Sequence, residues 1–84
     1  MSYFVYLVEC ADNTYYCGYT DDLDARVAKH NFSKTGAKYT KARRPVKLVY
    51  SEKFQSKEDA MKREHAIKKF SRREKEKLVL SNKS

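Results

Sequence analysis

Two runs, Tyr3-Phe4-Val5-Tyr6-Leu7-Val8-Glu9-Cys10 and Thr14-Tyr15-Tyr16-Cys17-Gly18-Tyr19-Thr20, flank the short segment Ala11-Asp12-Asn13. β-Branched and aromatic side chains dominate both runs and turn formers separate them, so the stretch reads as a β-hairpin. If the loop is those three residues, Tyr6 faces Gly18, Val8 faces Tyr16, and Tyr6 and Tyr16 share one face of the ladder. A two-residue loop would flip one strand and part the tyrosines.

After the hairpin, Asp21 or Asp22 is placed to cap a helix running to about Phe32, since a carboxylate accepts from free N–H groups and suits the positive end of the dipole. Leu23, Arg26, Val27 and His30 form its stripe at helical period. Residues 33–45 contain Gly36 and Pro45 without an apolar period and read as a long basic loop. Residues 46–52 read as a third strand. A helix follows over 56–70, with Ser56 as cap and Asp59 three residues on; Ser71 and Glu74 repeat that spacing before a last helix ending near Leu80. The order is ββαβαα, an α+β fold with a three-stranded antiparallel sheet. All 84 residues are expected to form one domain, with its core over 3–80.

A chain of this size builds only a small core. No apolar run approaches the roughly 18 residues of a membrane span, so no membrane partner is expected. Cys10 and Cys17 are too few for a disulfide scaffold, and they read as inert small hydrophobes of a cytoplasmic protein. The formal charge is +8, and it is unevenly placed: residues 1–25 hold five acids and no Lys or Arg. From Asp24 to Glu52 there is no acid, but there are eight cations: Arg26, Lys29, Lys34, Lys38, Lys41, Arg43, Arg44 and Lys47. Solvated faces usually mix both signs, so this segment points to a polyanion, best a nucleic acid. Lys34, Lys38, Lys41, Arg43 and Arg44 are the candidate phosphate contacts. Tyr39, interleaved among them, either stacks on a base or anchors the loop.

Polar groups also stand where apolar ones are expected. In the 56–70 helix, Ala60, Met61 and Ile67 make the apolar stripe, and Glu64 sits in its middle. Its carboxylate needs a partner: a metal, or more plainly Lys68 four residues on. Arg26 and His30 similarly flank Leu23 and Val27; a snorkelling arginine and a half-buried histidine are the plainer readings. A tyrosine pair, an Arg-His pair and an acid could together converge on one site at the sheet edge. Such a group suits phosphodiester hydrolysis, which needs a cation for the developing charge and an activated water. Arg26 supplies the cation. Glu64 suits Mg²⁺ (or Mn²⁺), which takes one or two carboxylates and keeps most of its waters. Tyr6 or Tyr16 could act as base only in a strongly cationic field, and His30 could orient a tyrosine or relay a proton.

With Phe4-Val5-Tyr6, Tyr16-Cys17-Gly18, Arg26, His30 and Glu64 in this order, the chain from Tyr3 to about Leu78 resembles a GIY-YIG nuclease domain of the small stand-alone bacterial kind. The resemblance implies a metal-dependent endonuclease cleaving DNA, structure-selective and acting in repair or recombination. It makes Tyr6 or Tyr16 the base or holder of the attacking water, Arg26 the family arginine, His30 the helix histidine and Glu64 the metal ligand. Phe4, Val5 and Cys17 depart from the motif letters, and residues 72–80 lack the asparagine many relatives carry there. No separate DNA-binding domain is expected, so the basic loop would bind DNA alone, and cleavage would be weak, structure-selective or dependent on a partner protein. The rival readings are a non-catalytic nucleic-acid-binding module of the same fold and a small ribosome-associated basic protein. The last leaves Arg26, His30 and Glu64 unexplained.

Overall fold

The computed structural model describes residues 2–32 and 43–81. The elements run β1 (Tyr3–Glu9), β2 (Tyr15–Thr20), α1 (Leu23–Phe32), β3 (Lys47–Phe54), α2 (Lys57–Lys68) and α3 (Arg72–Ser81). The strands form one antiparallel sheet in the order β2-β1-β3. This is the α+β, ββαβαα arrangement expected. Lys34, Lys38, Tyr39 and Lys41 lie outside the described residues. Among those described, no helix is long and apolar enough to cross a membrane.

Turn chemistry sets the hairpin register. Cys10 and Thr14 close the loop, the Cys10 N–H donating to the Thr14 carbonyl at 2.8 Å, so three residues connect the strands. Asn13 takes φ 66°, the left-handed conformation that such a loop needs at its last position and that asparagine tolerates. Asp12 braces the turn by accepting from the Thr14 N–H and hydroxyl at 3.2 and 2.6 Å. Tyr6 therefore pairs with Gly18 and Val8 with Tyr16.

The apolar run of β1 makes it the central strand, covered on both faces. Val5 and Leu7, with Cys17 of β2, pack against Ala60, Ile67 and Val79 of α2 and α3. Tyr6 and Val8 turn the other way, joining Cys10, Val46, Leu23 and Val27 beneath α1. Cys10 and Cys17 are thus buried as free thiols in different layers. Between Leu7 and Val8 the β1–β3 register slips by one residue, a bulge that lets both Val49 and Tyr50 join the α2 side.

The caps follow the sequence. Asp22 Oδ1 accepts from the Ala25 N–H at 3.1 Å, and Ser56 Oγ from the Asp59 N–H at 3.1 Å. Ser71 and Glu74 form a reciprocal capping box, with bonds of 3.2 and 3.0 Å. The C-terminal end of α1 is fastened from outside the helix. Arg44 donates to the His30 carbonyl and, at 3.3 Å, to that of Lys29, while the Asn31 amide exchanges two hydrogen bonds with the Val46 backbone at 2.6 and 3.0 Å.

Met61 departs from the expected stripe. Ala60 and Ile67 are fully buried, but Met61 is 44% exposed. At 100° per residue Met61 lies on the same flank as Lys57, Glu64 and Lys68, and that flank overhangs the β2 edge instead of the sheet.

Candidate active site

The two layers meet around β2, and there they leave a cleft of about 470 Å³. From the α1 side it is lined by Tyr6, Tyr16 and Arg26, and from the α2 side by Lys57 and Glu64. Four of the five expected catalytic residues therefore share one cavity although they come from four elements. His30, the fifth, stands behind Tyr6: the phenol oxygen lies 2.8 Å from His30 Nε2, and the imidazole is 1% exposed. The Tyr16 ring meets the same imidazole edge-on, with centroids 5.2 Å apart.

Gly18 is what admits the Tyr6 phenol. A Cβ there would fall 2.5 Å from the Tyr6 oxygen and 2.7 Å from Cζ. The glycine thus makes room for the cross-strand tyrosine.

Burial pushes the Tyr6 hydroxyl far above the ordinary phenol range; neighbouring Tyr16 adds to the rise and Arg26 opposes it. Burial, with Arg26, Arg44 and Lys29 beside it, holds His30 below its ordinary value. Both groups are therefore neutral at pH 7. One proton lies between them, and the phenol is its donor when the imidazole carries its own proton on Nδ1. Burial and the Glu64 charge push the Cys17 thiol up to about 12, so it is no nucleophile.

The Arg26 guanidinium makes no hydrogen bond or ion pair among the described residues, and neither does the Lys57 ammonium. Arg63, by contrast, is bound to Glu52 through contacts of 3.0 and 3.1 Å. Glu64 satisfies both readings of its position: its carboxylate approaches Lys68 at 3.8 Å, a loose pair, and it also faces the cleft. Among the described residues no three His, Cys, Asp or Glu side chains cluster as a metal cage. One hard-oxygen donor on a cleft wall fits Mg²⁺ or Mn²⁺ completed by waters and substrate phosphate, and does not fit zinc, which takes three or four protein ligands.

A family model for the GIY-YIG catalytic domain matches residues 2–77. The chain belongs to the GIY-YIG catalytic domain family. Among its relatives, a UPF0213 protein of Staphylococcus haemolyticus is 57% identical over 77 residues, 92% of this chain and 93% of the relative. One from Staphylococcus aureus is 53% identical over 78 residues, covering 93% and 94%. The solution NMR structure of a UPF0213 protein from Bacillus halodurans superposes with a TM-score of 0.60 at 51% identity, covering 94% of this chain and 83% of that one. An Enterococcus faecalis protein solved by NMR gives 0.64 at 38% identity, covering 96% and 85%. Membership of GIY-YIG supports a nuclease-like function, and with it a nucleic-acid substrate.

Two expected phosphate contacts lie away from the GIY-YIG cleft. Arg43 bonds Asp12 at 3.0 Å, at the far end of the hairpin, and Arg44 fastens α1. Lys57, conversely, lines the cleft without having been singled out. Two signals pointed to it: it lies seven residues before Glu64 on the same helical flank, and it is a cation in a first turn where acids are favoured.

Proposed function

We propose that this protein is a Mg²⁺- or Mn²⁺-dependent endonuclease that hydrolyses DNA phosphodiester bonds through the β2 cleft. The observation that carries the reading is the convergence of Tyr6, Tyr16, Arg26 and Glu64 on one cavity, with the Tyr6 oxygen backed by His30. Glu64 would hold the divalent ion, which supplies Lewis-acid stabilisation of the phosphoryl oxygens when bound.

The protein's own residues do the rest. Arg26, with no counter-ion among the described residues, meets the charge that grows on the non-bridging oxygens. The Tyr6–His30 pair removes the need for a phenolate. As the Tyr6 oxygen takes a proton from the attacking water, the phenol proton passes along the 2.8 Å contact to His30 Nε2. A neutral phenol and a neutral imidazole are the starting states this transfer requires. Its product is an imidazolium shielded from solvent. Tyr16 holds the imidazole plane edge-on and fixes the line of transfer.

The test is nicking of supercoiled plasmid and cutting of a branched oligonucleotide, with Mg²⁺ or EDTA, by wild type and Glu64→Gln. Metal-dependent nicking that disappears in the variant, with DNA binding retained, is the expected result. Binding without nicking, equal in both proteins, would make the chain a non-catalytic binding module.

A further inference from the structure

A second groove opens on the α2/α3 side of β2, at the end opposite the cleft. Its volume is about 180 Å³, and Thr14, Tyr15, Arg72 and Lys75 line it. The Arg72 guanidinium lies 5.9 Å above the Tyr15 ring centroid and pairs loosely with Glu76 at 3.8 Å, leaving donors free toward the groove. Between groove and cleft no acid but Glu64 intervenes among the described residues that line them, apart from Asp21 on the far rim of the cleft. Lys68, 3.8 Å from the Glu64 carboxylate at the cleft, and Lys75, on the wall of the groove, stand between the two. Beyond Tyr15 the sign reverses: the next hollow is lined by Glu9 and Glu76. β2 itself contributes no charge. Cations from α2 and α3 therefore form a line along this outer strand, starting at the catalytic cleft and ending at an acidic stop.

We propose that the Arg72–Lys75 groove is a second phosphate-binding station, and that DNA leaves the cleft along the β2 edge to reach it. This rests on the nuclease reading of the cleft. The five steps from Tyr15 to Thr20 span about 17 Å of strand, a length that matches about five phosphates of one B-form strand at 3.4 Å each. The footprint is thus one-sided, about five nucleotides on one flank of the scissile bond.

The experiment uses the full chain in the Glu64→Gln background, so that binding is read without cleavage. Affinity for an oligonucleotide shortened stepwise from each end is measured at 50 and 200 mM salt. The expected result is loss of affinity when one flank falls below about five nucleotides. In Arg72→Gln/Lys75→Gln that dependence disappears. The salt rise then costs the variant about 12-fold less affinity than its parent, the worth of two phosphate contacts at a slope of about 0.9 each. Lys75→Gln alone, which keeps Arg72 over Tyr15, gives about half the change in slope. Arg73→Gln/Lys77→Gln removes the same charge from exposed positions of α3 and leaves slope and length dependence as they were. A groove variant that matches its parent, or a control that loses as much, overturns the proposal while the nuclease reading stands. No DNA binding by the parent protein overturns both.

Discussion

Replacing Gly18 by alanine tests the link between the strand ladder and the reacting group. The new methyl would sit 2.5 Å from the Tyr6 oxygen, which must retreat by about 0.9 Å to reach the 3.4 Å of ordinary contact. Tyr6 is 1% exposed, and its hydroxyl is held by His30, so the ring cannot swing into solvent. Overpacking of this kind costs about 1–3 kcal/mol. Breaking the Tyr6–His30 bond adds about 1 kcal/mol. For a domain this size each kcal/mol lowers Tm by about 4–8 °C. Urea unfolding followed by circular dichroism gives the cycle of Gly18→Ala, Tyr6→Phe and the double variant. Tyr6→Phe keeps Cζ 2.7 Å from the new methyl but has already given up the His30 bond, so alanine should cost about 1 kcal/mol less in that background than in wild type. Costs that add within about 0.5 kcal/mol, or an alanine variant as stable as wild type, would refute the argument that Gly18 makes room for the phenol.

Two further outcomes follow from single residues. Because His30 is held below its ordinary value, the unfolded chain takes up a proton before the native one does. Stability is then full above about pH 6.5 and declines as pH falls from there toward the native value. In His30→Gln that part of the pH profile flattens, and an unchanged slope between pH 5 and 6.5 in denaturant titrations would count against the buried neutral imidazole. Ser71→Ala removes the hydroxyl half of the α3 capping box and should cost about 1 kcal/mol, seen as a lower urea midpoint at unchanged m-value. Ser71→Asp should recover most of it.

Local chemistry was the legible part of this sequence. Asn13 and Asp12 determine a three-residue loop, and from that loop the pairing of Tyr6 with Gly18 follows without reference to anything distant. Asp22, Ser56 and Ser71 mark helix starts through hydrogen bonds that reach only three residues. The convergence of Tyr6, Tyr16, Arg26 and Glu64 was legible once the hairpin faces and the helical stripes were in hand. Sidedness was not. Period alone puts Met61 beside Ala60, and only the packing of α2 decides that one flank meets the sheet while the other overhangs its edge; Lys57 was missed for the same reason. The ion pair of Arg43, read as a phosphate contact, with Asp12 was not legible because the two lie 31 residues apart. The direction of the Tyr6 shift depends on burial under α1, which no spacing in the sequence displays.

The fastening at the end of α1 has a consequence for changes made beyond it in the chain. Asn31 and Arg44 tie the C-terminal end of α1 to residues 44–46, just ahead of β3. A change between positions 33 and 42 would therefore leave the end of α1 anchored and the β2 cleft as it is, because the bonds that fix α1 lie outside that span.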